Sequence, residues 1–206
     1  MPADKSLWHY GRIYHTIIDP MIKPARDIVI SLVPRGASVL DIGCGTGKLC
    51  FELVQQRQCR VVGIDLSSRM LDFAQKNNSY EGLKFLHQDA TNMKDFQAKS
   101  FDYVVASHFI HELAKDDQLK VLKESSRIGR NVILLDAAAP LPWNFFGLFK
   151  RLIELLFGYD HYPQFKAYLN SGGIPGLLVE VRLNMKITQK STFQGDILQL
   201  AVISHK

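Results

Sequence analysis

"VLDIGCGTGKL", residues 39–49, decides how the rest of the chain is read. An apolar run ends in Asp41, and Gly43, Gly45 and Gly47 follow at alternate positions. Glycine has no Cβ, so the backbone here turns sharply and lets a ligand come close. Lys48 then opens a helical pattern, whose first free N–H groups point back at the turn. Strand, glycine turn and helix in that order put a ligand at the carboxyl end of the first strand of a parallel sheet. The spacing also limits the ligand. A dinucleotide fingerprint would carry its third glycine at position 48, where Lys48 stands, and GxxxxGK followed by Ser or Thr is absent.

On either side of this turn the pattern alternates. Strands are expected at Ser38–Ile42, Arg60–Ile64, Leu83–His87, Phe101–Ala106 and Asn131–Asp136, with helices near Lys48–Gln56, Ser67–Asn77 and Asp116–Ile128. Strand alternating with helix argues for an α/β fold, a mainly parallel sheet with helices on both faces. Before the first strand, "DPMIKPARDIVISLV" reads as helix, stopped at Pro34–Gly36. After the fifth strand the alternation breaks. Residues 144–158, "NFFGLFKRLIELLFG", form a strongly apolar helix pattern, and residues 163–171 form another, read as ending at Gly172–Gly173. Two extended runs around Gly195–Asp196 then give an antiparallel pair. One domain, 1–206, is expected, with an N-terminal helical cap at 1–36 and an apolar insert at 140–178.

Three of these strands end in or beside an acid. Asp41 closes the first, Asp65 the second ("RVVGID"), and Asp89 follows the third ("HQDA"). A helix cap or a turn explains any one of them. In order, with the glycine turn, they suit an adenosine-bearing ligand. Asp65 can accept from both ribose hydroxyls, and Asp89 suits an adenine amine. A ribose-binding acid is common to nicotinamide and S-adenosylmethionine sites.

Taken together, these segments resemble the class I S-adenosylmethionine-dependent methyltransferases. "VLDIGCGTG" is similar to their first motif, "VVGIDLSSRML" to the ribose-binding segment and "HQDATNM" to the adenine-contacting one. "FDYVVASHFIHEL" looks like their fourth motif, and "LKESSRIGRNVILLD" like the helix and strand that follow. The likeness is strong over 35–137 and holds in outline over 180–206. It implies a Rossmann-like three-layer sandwich whose sheet has seven strands, the last two antiparallel. It also implies S-adenosyl-L-methionine as cofactor and S-adenosyl-L-homocysteine as product. Asp41 would orient the glycine loop and approach the amino group of the methionine moiety. Gly43, Cys44, Gly45 and Gly47 would pass close to that moiety, and Asp65 would hold the ribose. Leu66 and Met70 would pack at the adenine, Asp89 and Ala90 would meet its edge, and Ser107 and His108 would stand beside the methionine part.

Methyl transfer is an in-line displacement, for which the protein supplies orientation and a water-poor site. A base is needed only where the acceptor must lose a proton, and His108 and His111 are the candidates. The bland reading has His111 packing the loop and His108 touching the cofactor. "LWHYGRIYH", residues 7–15, offers Trp8, Tyr10 and Tyr14 as walls for the methyl group, and His9, Arg12 and His15 within reach of an acceptor; Tyr14 is counted with the catalytic candidates. It reads equally as a short aromatic helix. His161 and Tyr162 lie on the opposite rim.

Composition narrows the partners. Of 206 residues 47% are hydrophobic and 22% charged, and the net charge of +5 comes from scattered basic residues, which suits a solvated surface. No nucleic-acid partner is expected. The place that would carry an Asp, Asn or Ser before two prolines and an aromatic, or a Pro-Cys pair, reads "ASHF". The paired glutamates of arginine methylation are missing, with only Glu112 close, and so are the several placed cysteines of arsenite methylation. The three cysteines show no metal spacing, so no metal is expected, and with no signal-peptide pattern they suit a reducing cytoplasm. The 140–178 insert stands where an acceptor lid would be. Its composition suits a hydrophobic acceptor, whether quinone-like, phenolic or lipid. The 144–158 helix could alternatively cover the sheet, form a homodimer contact, or rest on a membrane with Lys150 and Arg151 at the headgroups. Two other functions stay open: a binding protein of this fold without turnover, and an NAD-dependent oxidoreductase.

Overall fold

The computed structural model describes residues 19–157 and 162–205. Five strands, β1 (Ser38–Ile42), β2 (Arg60–Asp65), β3 (Leu83–His87), β4 (Phe101–Ser107) and β5 (Gly129–Ala137), pair in parallel. β6 (Met185–Phe193) and β7 (Leu198–His205) complete a seven-stranded sheet in the order β3-β2-β1-β4-β5-β7-β6. β7 is antiparallel to both neighbours, so it alone runs against the other six. The sheet is the three-layer α/β arrangement expected from the alternation.

Two apolar layers hold it. Successive side chains on a strand face opposite sides. On β5, Ile133 and Leu135 therefore join Val39, Val61 and Val105 beneath α1 (Lys23–Leu32) and α2 (Lys48–Arg57). Val132 and Leu134 join Leu40, Ile42 and Val104 on the other face, beneath α4 (Lys115–Ile128), α6 (Tyr162–Asn170) and α7 (Gly173–Val181). α3 (Ser68–Asn77) starts behind Ser67, whose hydroxyl accepts from the Met70 N–H at 3.4 Å.

β1 has β2 on one side and β4 on the other, so the strand order reverses there. That reversal opens a crevice at the carboxyl ends of β1 and β4, the place where such sheets bind ligands. α5 (Phe145–Phe157) and the β6–β7 turn approach the same end.

The strand starts at β1, β2, β3 and β4 agree with the sequence reading, and β5 begins two residues earlier. The Gly172–Gly173 step does more than the sequence reading gave it. α6 does end before this step, at Asn170, but Gly172 at φ +85° is also the N-cap of α7, so the chain enters a further helix that the sequence reading lacks. A glycine at positive φ ends one helix and admits the next equally well, so the pair carries no direction by itself.

Candidate functional site

The glycine turn is held by its neighbours. The N–H groups of Gly43 and Cys44 both donate to the Ile64 carbonyl, at 2.9 and 3.0 Å. Gly45 donates to Asp65 Oδ2 at 2.9 Å, and Ser67 N–H donates to Oδ1 at 2.8 Å. The Asp65 carboxylate thus fixes the turn and the start of α3 together. The three glycines serve different ends. A Cβ on Gly43 would lie 2.3 Å from the Phe109 ring, and one on Gly47 would lie 2.4 Å from Phe85. Gly45, at φ +53°, faces open space. Behind the turn, buried Asp19 accepts from Thr46 Oγ1 at 3.0 Å, and Arg26 donates to the Asp19 carbonyl at 2.7 Å and to Glu52 at 3.0 Å. A helical turn before α1 is thereby tied to the loop.

Asp41 is buried at the tip of β1, where the Cys50 thiol donates to it at 3.1 Å. Burial lifts its pKa to about 7, with Asp65 adding to the rise and the thiol opposing it. Leu66 is 60% exposed past the end of β2, Met70 lies buried behind it, and Ala90 is buried below Asp89. Asp89 is exposed, and its Oδ1 accepts from the Thr91 N–H and hydroxyl at 2.7 and 2.8 Å, an aspartate turn.

Ile42 pairs with Ala106, so Ser107 and His108 emerge beside the glycine turn. His108 takes a positive φ of 54°, and its Nδ1 lies 3.0 Å from Ser107 Oγ. Burial, reinforced by the Lys150 ammonium, depresses its pKa to about 3, so the ring is neutral. Phe109 folds back over Gly43, and a single 3-10 turn, Ile110–Glu112, brings His111 inward. His111 is buried. Its Nδ1 meets Asp136 Oδ1 at 2.5 Å, its backbone N–H donates to Asp136 Oδ2 at 3.1 Å, and its Nε2 lies 3.5 Å from Glu154 Oε1 on α5. Burial alone would drive the proton off. The two carboxylates outweigh it and raise the pKa to about 10, so the ring is an imidazolium. Lys150 closes the chain by donating to Glu154 at 2.5 Å.

His108, His111, Lys150 and Glu154 form the polar end of a cavity of about 90 Å³, whose apolar walls include Met21, Ile22, Phe149, Ile153, Ile197 and Leu198. The two histidines expected near the reacting centre therefore share one cavity. Tyr14, with Trp8, His9, Tyr10, Arg12 and His15, lies outside the described residues, and so does His161. Tyr162 packs on Phe165, with ring centroids 6.2 Å apart. The structure adds Phe109, Asp136, Glu154 and Asp19. Asp136 had a signal, since it closes an apolar strand as Asp41 does. Glu154 had none: it is one acid in an apolar helix, and only the fold turns it inward.

A family profile described as "Methyltransferase domain" matches residues 39–131. The demethylmenaquinone methyltransferase of Bacillus licheniformis is 31% identical over 176 residues, spanning 80% of this chain and 75% of that protein. The demethylmenaquinone methyltransferase of Staphylococcus aureus is 34% identical over 132 residues, 61% of this chain. The chain spans about half, 52%, of that relative's length. Among solved structures, a Pyrococcus horikoshii protein superposes with a TM-score of 0.72 at 20% identity, covering 96% of this chain and 95% of its own; it supports the fold.

Proposed function

The chain belongs to the class I S-adenosylmethionine-dependent methyltransferase family, and from that premise we propose that its acceptor is a small apolar ring bearing an ionisable hydroxyl, of the quinol type. When bound, S-adenosylmethionine supplies a methyl group on a sulfonium and leaves as S-adenosylhomocysteine.

The site residues fit that cofactor. Gly45 opens onto free space, and Asp65 offers an acceptor-only carboxylate at a strand tip, as a ribose diol requires. In this reading Asp41 receives the ammonium of the methionine part, and Gly43 and Cys44 pass alongside it. Leu66 and Met70 flank the adenine, with Asp89 and Ala90 at its edge. Ser107 and His108 border the reacting end, and Gly47 serves the turn itself by packing.

The observation that carries the acceptor assignment is the cavity: apolar walls converging on a histidine–aspartate pair. Once the imidazolium has released its own Nε2 proton, a phenolic hydroxyl that gives its proton to His111 becomes nucleophilic at oxygen and at the neighbouring ring carbon. Asp136 fixes the ring through Nδ1, so Nε2 is the atom that takes the proton. His108, neutral and beside the glycine turn, acts as a wall that adds no positive charge next to a sulfonium. The names of the Bacillus and Staphylococcus relatives point to the same acceptor class. The described part of the 140–178 stretch is then the lid over the acceptor, and the described part of 1–36 the cap over the cofactor; the rest of both stretches lies outside the described residues. The outward face of α5 supports peripheral contact with the membrane where such an acceptor dissolves. A homodimer through that face is the competing use.

The test offers the protein a methyl-labelled donor with three acceptors: a prenylated naphthohydroquinone lacking its methyl group, a simple catechol, and phosphatidylethanolamine. Label in the naphthohydroquinone is expected. Label only in the lipid amine, or in none of the three, would sink the assignment.

A further inference from the structure

Among the described residues the cavity that should receive the acceptor is narrow. About 90 Å³ lies well below the ~300 Å³ at which pockets begin to enclose ligands of drug size. α5 forms one wall of the cavity, with Phe149, Lys150, Ile153 and Glu154. Of these, Glu154 reaches furthest into the chemistry. It is 1% exposed and lies 3.5 Å from His111 Nε2, the ring nitrogen not taken by Asp136. A base cannot accept a proton at an atom already engaged with a carboxylate. The seated α5 therefore limits the room and engages the nitrogen.

We propose that Glu154 is a positioning residue that acceptor entry displaces: it seats α5 on His111 in the absence of acceptor, and the acceptor hydroxyl takes its place at Nε2. The inference rests on the acceptor reading above and adds the residue that couples lid position to base competence. The groups facing His111 support the direction. From β5 comes Asp136, from α5 Glu154 and Lys150, from its own loop His108 and Glu112, and from α6 the rings of Phe165 and Tyr168, at 5.4 and 6.3 Å. With Glu154 in place two carboxylates hold the imidazolium. When Glu154 withdraws, its carboxylate no longer faces Nε2, Lys150 loses its direct ion-pair partner, and the Nε2 proton passes to water as the lid opens. The hydroxyl proton then moves to Nε2 as the methyl group passes from the donor sulfur to the acceptor, S-adenosylhomocysteine leaves, and where the ring carbon is methylated its own proton is lost afterwards to restore the aromatic hydroxyl.

Two measurements test this, one of them independent of any acceptor. In histidine-labelled protein the His111 resonance, assigned by its loss in His111→Asn, is titrated in wild type, in Glu154→Gln and in Lys150→Met/Glu154→Gln. The double variant removes the buried cation with its partner, so that a folding failure of the single change does not decide the matter. Titration in the variants is expected at least one pH unit below wild type, a tenfold change in proton affinity, with S-adenosylhomocysteine binding unchanged. Identical titration in wild type and both variants would overturn the proposal. With the prenylated naphthohydroquinone as probe, either variant should lower KM for the acceptor at least threefold and leave kcat within a few fold. A loss of kcat with KM unmoved would mark Glu154 as merely structural and also overturn it. Absence of turnover with every quinol would defeat the acceptor reading, while the titration would still decide the role of Glu154.

Discussion

Asp41 carries a carboxyl group into a place where water does not follow, and its proton affinity records the cost. The folded-state pKa of about 7 stands above the ordinary 3.8, so the fold binds this proton more tightly than the unfolded chain does. The sign follows: the contribution to stability is full below pH 4 and is lost as the pH rises through 7. Asp41→Asn should therefore flatten the decline in melting temperature of the cofactor-free protein between pH 5 and 8. The same change should weaken S-adenosylhomocysteine binding tenfold or more, since a hydrogen bond to a charged group is worth about 1.5–3 kcal/mol. Calorimetry and thermal unfolding at the two pH values check both. An unchanged pH slope would remove the burial argument, and unchanged affinity the assignment to the methionine end. Asp41 and Asp65 were legible in the sequence because each is read off a local pattern, an acid closing an apolar strand. Glu154 and Phe109 were not, because their roles exist only once α5 and the β4 loop are brought to the glycine turn.

At the scale of the element, the glycine turn separates packing from binding. Gly47 and Gly45 both sit at positive φ, yet only Gly47 has a neighbour in the way. Gly47→Ala must move the Phe85 ring and should destabilise the protein by about 1–3 kcal/mol, the usual cost of overpacking. Gly45→Ala meets nothing and bears only the left-handed backbone cost of about 1–2 kcal/mol. It should nonetheless be the more damaging to cofactor affinity, because its Cβ enters the open space. Denaturant unfolding against cofactor titration checks this, and the opposite ranking would show that the cofactor does not pass Gly45. The strands themselves were readable to within two residues at their starts, since burial on both faces leaves near-continuous apolar runs. α7 escaped because Gly172–Gly173 reads the same whether a helix stops there or another begins.

For the molecule as a whole, the outward side of α5 and the Trp143 before it depart from an ordinary surface among the described residues. Trp143 is 84% and Phe145 74% exposed, with Phe146, Leu148, Leu152 and Leu155 beside them. Glu154 is turned inward, and Arg151 stacks on Trp143 with 4.4 Å to the ring centroid. Among the described residues no helix is long and apolar enough to cross a membrane, so any contact through this face lies at the surface of the bilayer. Wild type should co-sediment with vesicles of phosphatidylcholine and phosphatidylglycerol, and a Phe145→Ser/Leu148→Ser variant should do so several-fold less. Equal sedimentation, or a dimer in ultracentrifugation that the variant dissociates, would assign the face to a second copy instead. The sequence showed that the helix was apolar; which side stayed uncovered required the packed fold. The edge of the sheet is guarded in another way. β6 ends the sheet with Lys186 and Lys190 exposed and with its register broken between Ile187 and Gln189. Charged side chains and a bulge on an outermost strand deny a neighbouring chain a flat template. A protein that displays so much aromatic surface at one place thus has protection against aggregation by strand addition at another.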